Sequence, residues 1–101
     1  MWMMVMFDLP VASDDDRKKY TEFRNMLLNN GFEMSQFSVY VRFCGDRECC
    51  QRYVRVIKKN TPAEGNISIL FFTDKQFGQI INIIKRERVK SKDPPEQLSL
   101  F

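Results

Sequence analysis

The sequence predicts an α+β sandwich, a four-stranded antiparallel sheet with two helices on one of its faces. Three observations carry this: an apolar run from Met3 to Leu9 too short for an independent helix, an alternating stretch from Met34 to Cys44, and an amphipathic segment with its own start signal after each of them. With 101 residues, 44% hydrophobic and 29% charged, the chain is one globular unit, with no room for separate cofactor and substrate lobes.

Met3 to Leu9, closed by Pro10, reads as a strand covered on both faces. Ser13 and Asp16 make an S-x-x-D capping pattern, and Asp14 to Asp16 suit the positive end of a helix dipole. Tyr20, Phe23 and Leu27 recur at helical spacing, which predicts a helix from about Asp14 to Asn30 with Gly31 as its left-handed stop. From Met34 to Cys44, Phe37, Val39, Val41 and Phe43 alternate with Gln36, Ser38, Tyr40 and Arg42, the clearest strand pattern in the chain. Asp46 opens a second helix in which Cys50, Tyr53, Val54 and Ile57 share a face, ending at Lys58 and Lys59 before Asn60-Thr61-Pro62. Gly65-Asn66 leads into a third strand, Ile67 to Thr73, and a turn at Asp74-Lys75 into a fourth, Phe77 to Ile84. Residues 1–88 form the folded unit and 89–101 a tail.

The absence of histidine excludes imidazole as base, proton shuttle or metal ligand, so any catalysis rests on carboxylates. Cys44, Cys49 and Cys50 have no C-x-x-C spacing and read as reduced thiols rather than a disulfide framework or zinc site. MWMMVMF is apolar but lacks a basic leader and is far shorter than a membrane span, so a soluble, cytoplasmic protein without a membrane partner is expected.

Helices that cross over right-handedly onto the same face give a ferredoxin-like split βαβ sandwich and leave the other sheet face bare. If Val5 and Phe7 point toward the helices, alternation sends Met4, Met6 and Asp8 to the bare face, beside Gln36, Ser38, Tyr40 and Arg42. Such a face needs a partner, either a second copy of the chain or stacked nucleobases. Asp8 stands out, because a carboxylate at the end of a buried apolar strand is costly unless hydrated, paired or bound to a cation. One reading is a turn residue ahead of Pro10. The other is a twofold pair of carboxylates repelling by about 4 kcal/mol at about 4 Å, relieved by a shared proton or by a divalent cation such as Mg²⁺ or Mn²⁺. An ion so held would activate water for phosphodiester hydrolysis. Asp14 to Asp16 point in different directions of one turn and suit the helix start rather than a metal cage.

Basic residues recur on the first helix (Arg17, Lys18, Lys19, Arg24), further on (Arg42, Arg47, Arg52, Arg55) and near the end (Lys85, Arg86, Arg88, Lys90, Lys92). Each alone suits a solvated surface; clustered, they suit phosphate binding with salt-dependent affinity. The formal net charge of +3 decides neither way.

VMFDLP at 5–10, Arg17 and Lys18, GF at 31–32, QFSVYVR at 36–42 and TDKQFGQI at 73–80 together resemble the small CRISPR-associated protein two family, most closely its type II versions. The resemblance extends to about Arg88. It implies a homodimer joined through the sheet faces, with Asp8 near the twofold axis as metal-binding and catalytic carboxylate and Mg²⁺ or Mn²⁺ as its ion. It further implies a role in spacer acquisition, bridging integrase subunits of CRISPR-associated protein one and holding a short prespacer DNA duplex, with RNase or DNase activity. On this reading Met6, Ser38 and Tyr40 line the dimer interface, and Arg17, Lys18, Lys19, Arg24 and Arg42 contact nucleic acid.

After Asp93-Pro94-Pro95 the chain ends in QLSLF, where Leu98 and Leu100 suit a strand added to a partner subunit's sheet. Gln97, Leu98, Leu100 and Phe101 equally match the pentapeptide by which bacterial replication and repair proteins dock on the sliding clamp. Two other functions are compatible with the same fold. An RNA-binding module without catalysis needs a K/R-G-F/Y-G/A-F-V-x-F/Y strand that Asn66 to Thr73 does not supply. A small-molecule regulatory domain needs Gly-rich loops, and the four glycines are scattered.

Overall fold

The computed structural model describes residues 1–85, and the tail from 86 onward, with its QLSLF motif, lies outside them. The chain runs β1 (Trp2–Asp8), α1 (Asp14–Asn29), β2 (Glu33–Gln36), β3 (Val39–Phe43), α2 (Arg47–Lys59), β4 (Asn66–Phe72) and α3 (Asp74–Gly78). The sheet has the order β2-β3-β1-β4 and every neighbouring pair is antiparallel, so the expected ferredoxin-like sandwich is present. No helix among the described residues is long and apolar enough to cross a membrane.

Local chemistry sets the helix ends. Ser13 Oγ accepts from the Asp16 amide at 3.0 Å while Asp16 Oδ2 accepts from the Ser13 amide, closing the capping box. At the other end Gly31, at φ +81°, lets the Phe32 amide return to the Leu27 carbonyl at 3.0 Å. Asp46 caps α2 by accepting from the Cys49 amide at 2.8 Å.

Two sequence expectations are corrected. The stretch from Met34 to Cys44 is a hairpin, reversing at Phe37-Ser38, where Ser38 adopts φ 62°, with an irregular register between Met34 and Gln36. Alternation cannot reveal such a reversal, since the apolar-polar rhythm continues through a two-residue turn. The hairpin supplies the sheet's second edge strand, so Phe77 to Ile84 is not needed as one. Instead Thr73 caps α3, exchanging hydrogen bonds with Gln76 (3.1 and 2.9 Å), and Ile80 to Lys85 follow without regular structure. Trp2 holds α3 in place: its Nε1 donates to Asp74 Oδ1 at 2.9 Å and its ring stacks on Phe77 at 4.0 Å.

The core lies between the sheet and the two long helices. Met3, Val5 and Phe7 of β1 face Phe23 and Leu27 of α1 and Cys50 and Ile57 of α2, all buried. Each such side chain contributes about 1.5–3 kcal/mol on burial. Phe7 is the hub, with Tyr20, Phe23 and Tyr40 ring centroids at 5.5, 5.0 and 5.7 Å.

Pairing of Val5 with Tyr40 and of Met3 with Arg42 overturns a further expectation, that Tyr40 and Arg42 face away from the helices. Tyr40 is 1% exposed, and its hydroxyl accepts from Arg24 Nε at 2.9 Å; Ser38 Oγ meets the Tyr20 hydroxyl at 2.8 Å. Each polar tip finds a partner on α1, which is why an apparently polar row can be the inner one. Val39, Val41 and Phe43 take the open face.

Cys44 and Cys50 form a disulfide, which corrects the expectation of three reduced thiols; Cys49 is free. Cys44 follows β3 and Cys50 occupies the inner side of the first turn of α2, so the short connection at Gly45-Asp46 brings their Cα atoms to 5.5 Å, within disulfide reach.

Gly65, at φ +118°, opens β4 against the end of β1: a Cβ there would lie 2.5 Å from Leu9 Cδ2 and 2.9 Å from the Asp8 carbonyl oxygen. Gly65→Ala is therefore expected to lower unfolding free energy by about 1–3 kcal/mol. An unchanged urea midpoint would contradict this close packing.

Candidate metal and nucleic-acid site

The open face is built by alternation on three strands. Trp2, Met4, Met6 and Asp8 come from β1; Val39, Val41 and Phe43 sit beside them on β3, and Asn66, Ser68, Leu70 and Phe72 on β4. Met6 is 42% exposed and Phe43 50%, large apolar groups on a sheet surface that neither α1 nor α2 covers. α3 shields only the Trp2 end. Asp8 marks the opposite end.

Asp8 is exposed at the last position of β1, paired in register with Asn66. It lines a depression of about 320 Å³ together with Met6, Phe37, Ser38, Asn66 and Ser68. That size is at the low end for ligand sites and suits a hydrated ion and a phosphate group. Phe37, 64% exposed at the hairpin tip, adds a flat apolar surface beside the carboxylate. Sequence reasoning missed Phe37, Asn66 and Ser68. The signal for the last two was present: Asn66 and Ser68 alternate with Ile67 and Ile69, whose parity puts the polar pair on the side of Asp8.

Among the described residues no three His, Cys, Asp or Glu side chains are placed to hold a metal ion. One protomer thus offers a single carboxylate with neutral oxygens on Asn66 and Ser68. Such hard-oxygen donors suit Mg²⁺ or Mn²⁺, cations that keep several waters and need few protein ligands.

The predicted phosphate contacts differ in their surroundings. Arg17 pairs with Asp14 and donates to the Val11 and Ala12 carbonyls, and Lys19 pairs with Asp15 at 3.1 Å. That hydrogen bond and charge hold the Lys19 ammonium pKa above its ordinary value. Lys18 is exposed. Arg24 supports Tyr40 and is half-buried. Arg42 turns inward: it donates to the Asn30 carbonyl at 2.8 Å, lies 4.4 Å from the Tyr53 ring centroid, and packs where any side chain on Gly31 would stand. Its Nε is buried without a partner. Packing therefore accounts for Arg42, and its assignment to nucleic acid is not supported by its position.

The model of the family "CRISPR associated protein Cas2" matches residues 1–80. The chain is 46% identical over its whole length to the CRISPR-associated endoribonuclease Cas2 of Paracidovorax avenae, covering 94% of that protein. It is 41% identical over its whole length to the proteins of that name from Flavobacterium psychrophilum and Parvibaculum lavamentivorans, covering 88% and 100% of them. A split βαβ sandwich with one open apolar face ending in a carboxylate, and a family match across most of its length, place this chain in the Cas2 family of CRISPR-associated proteins.

Proposed function

We propose that this chain acts in CRISPR adaptation as a cytoplasmic homodimer that binds duplex DNA, bridges integrase subunits of CRISPR-associated protein one, and carries a metal-dependent endonuclease centre at Asp8. The observation that carries the reading is the open sheet face, apolar along Met4, Met6, Val39 and Phe43 and ending in an exposed acid. A second copy satisfies both of its needs. It covers the apolar surface isologously, and it brings a second carboxylate to the first. Tyr40 lies beneath this face, while Ser38 borders the Asp8 depression, so of the three interface residues expected from the sequence Met6 and Ser38 are the ones proposed to face the second copy.

The ion, when bound, supplies an activated water and stabilises charge on the phosphodiester. Asp8 holds its place at the end of β1 through the strand pairing with β4, and Asn66 and Ser68 offer hydrogen bonds to the phosphate beside it. The relatives' name, endoribonuclease, supports hydrolysis and makes RNA a substrate to assay beside DNA. A further partner, the bacterial sliding clamp, rests on the QLSLF sequence alone.

Asp8→Asn is expected to abolish Mg²⁺- or Mn²⁺-dependent cleavage while leaving self-association and duplex binding intact; equal cleavage by purified wild type and variant would assign the activity elsewhere. Met6→Glu brings two carboxylates into the twofold contact, a repulsion of about 4 kcal/mol at 4 Å and an effective dielectric of about 20. Sedimentation should then report a monomer where the wild type is a dimer, and an unchanged coefficient would remove Met6 from the interface. For the tail, the full chain should bind the cognate clamp at micromolar concentration and lose binding with Leu100→Ala and Phe101→Ala; no binding by the wild-type chain would leave QLSLF to strand addition.

A further inference from the structure

Among the described residues the excess of positive charge is concentrated on one helix. α1 carries four basic and four acidic residues, and the two ion pairs formed among the described residues, Arg17 with Asp14 and Lys19 with Asp15, both lie within it. α2 carries five basic residues, Arg47, Arg52, Arg55, Lys58 and Lys59, against one acidic, Glu48, an excess larger than the net +3 of the whole chain. All five are exposed.

Their placement is not what helix stability asks for. Lys58 and Lys59 complement the negative end of the dipole, but Arg47 occupies the first helical position, where a cation is unfavourable. Glu48 and Arg52 are spaced for an ion pair, yet Arg52 turns instead to Cys49 Sγ and the Tyr53 ring. Cys50 and Ile57 bury the opposite side of α2, so Arg52, Arg55 and Lys59, at three- and four-residue spacing, form an outward line. Arg47, Arg52 and Arg55 line one open concavity.

We infer that α2, rather than α1, is the surface that grips the phosphate backbone of duplex DNA. This rests on the DNA-binding reading above and locates it. Charge complementarity selects a polyanion: the outward line from Arg52 to Lys59 covers roughly 10 Å at helical rise, and Arg47 extends the basic surface to roughly 18 Å, long enough for successive phosphates. The one aromatic of α2, Tyr53, is half-buried beneath Arg42 and Arg52, so the outward surface offers no platform for unstacked bases. Single strands are held by such platforms, whereas a stacked duplex presents its phosphates to a line of cations.

The test measures duplex binding by fluorescence anisotropy across a salt series, with full-length wild type, an Arg52→Gln/Arg55→Gln/Lys59→Gln variant and an Arg17→Gln/Lys18→Gln/Lys19→Gln variant. Removing three phosphate contacts lowers the slope of log K against log salt by about 2–3, so the α2 variant should show this fall and the α1 variant less than about 1. Arg52→Lys with Arg55→Lys, which keeps the charge, should retain the wild-type slope and so separates contact from misfolding. A fall in the α2 variant no larger than in the α1 variant overturns the inference while leaving DNA binding itself standing. Absence of salt-dependent duplex binding by the wild type overturns both, and a larger loss on single-stranded RNA than on duplex overturns the choice of duplex.

Discussion

Strand β1 runs through the interior of the sheet with a partner on each side, so the alternation of its side chains assigns two surfaces at once. Met3, Val5 and Phe7 go to the helices and hold the protomer together; Met4, Met6 and Asp8 go to the side the helices leave bare. A slip of one residue in its pairing would exchange these sets and lose both the core and the candidate site. Fold and candidate site are thus tied to the same seven residues. The parts around β1 serve that register: Gly65 admits β4 close to Asp8, the Phe7 amide donates to the Ser38 carbonyl at 3.0 Å, and the Cys44 amide donates to the Met1 carbonyl at 3.0 Å.

Polar groups beneath the sheet illustrate how burial and hydrogen bonding are balanced. Tyr40 is fully inside because Arg24 meets its hydroxyl, and Arg42 is drawn in by Asn30 and Tyr53 at the expense of one unpartnered Nε. Leaving such a group unpaired costs about 1–3 kcal/mol, which the cation-π contact with Tyr53 and the Asn30 hydrogen bond offset in part. The consequence is functional as well as structural. With these arginines engaged beneath the sheet and the cations of α1 balanced by acids, the unbalanced charge among the described residues stands on α2.

Much of this was legible in the sequence, and the failures have physical causes. Caps and stops read correctly because they act locally: Ser13 with Asp16, Gly31, and Asp46 each work within one turn. The place of Asp8 at the end of β1, on the side of Met4 and Met6, was also legible, since strand alternation fixes it. The hairpin at Phe37-Ser38 was hidden because reversal leaves the alternation rhythm intact, and its omission forced Phe77 to Ile84 into the role of the missing strand. The wrong face for Tyr40 followed from equating polar with outward, an inference that fails when a neighbouring helix supplies the partner. The Cys44–Cys50 bridge depends on how a strand turns into a helix, which spacing alone does not specify.

The claim on which the functional account turns is that two copies meet through the open face and bring their Asp8 carboxylates together. A crystal structure of the protein grown with Mn²⁺, with the ion located by its anomalous signal, tests it most directly. One ion is expected on a twofold axis between the two Asp8 side chains, each carboxylate within ligand distance, about 2.1 Å, of it. Copies joined through their helices, or an open face in solvent with the Asp8 carboxylates at opposite ends of the assembly, would contradict it.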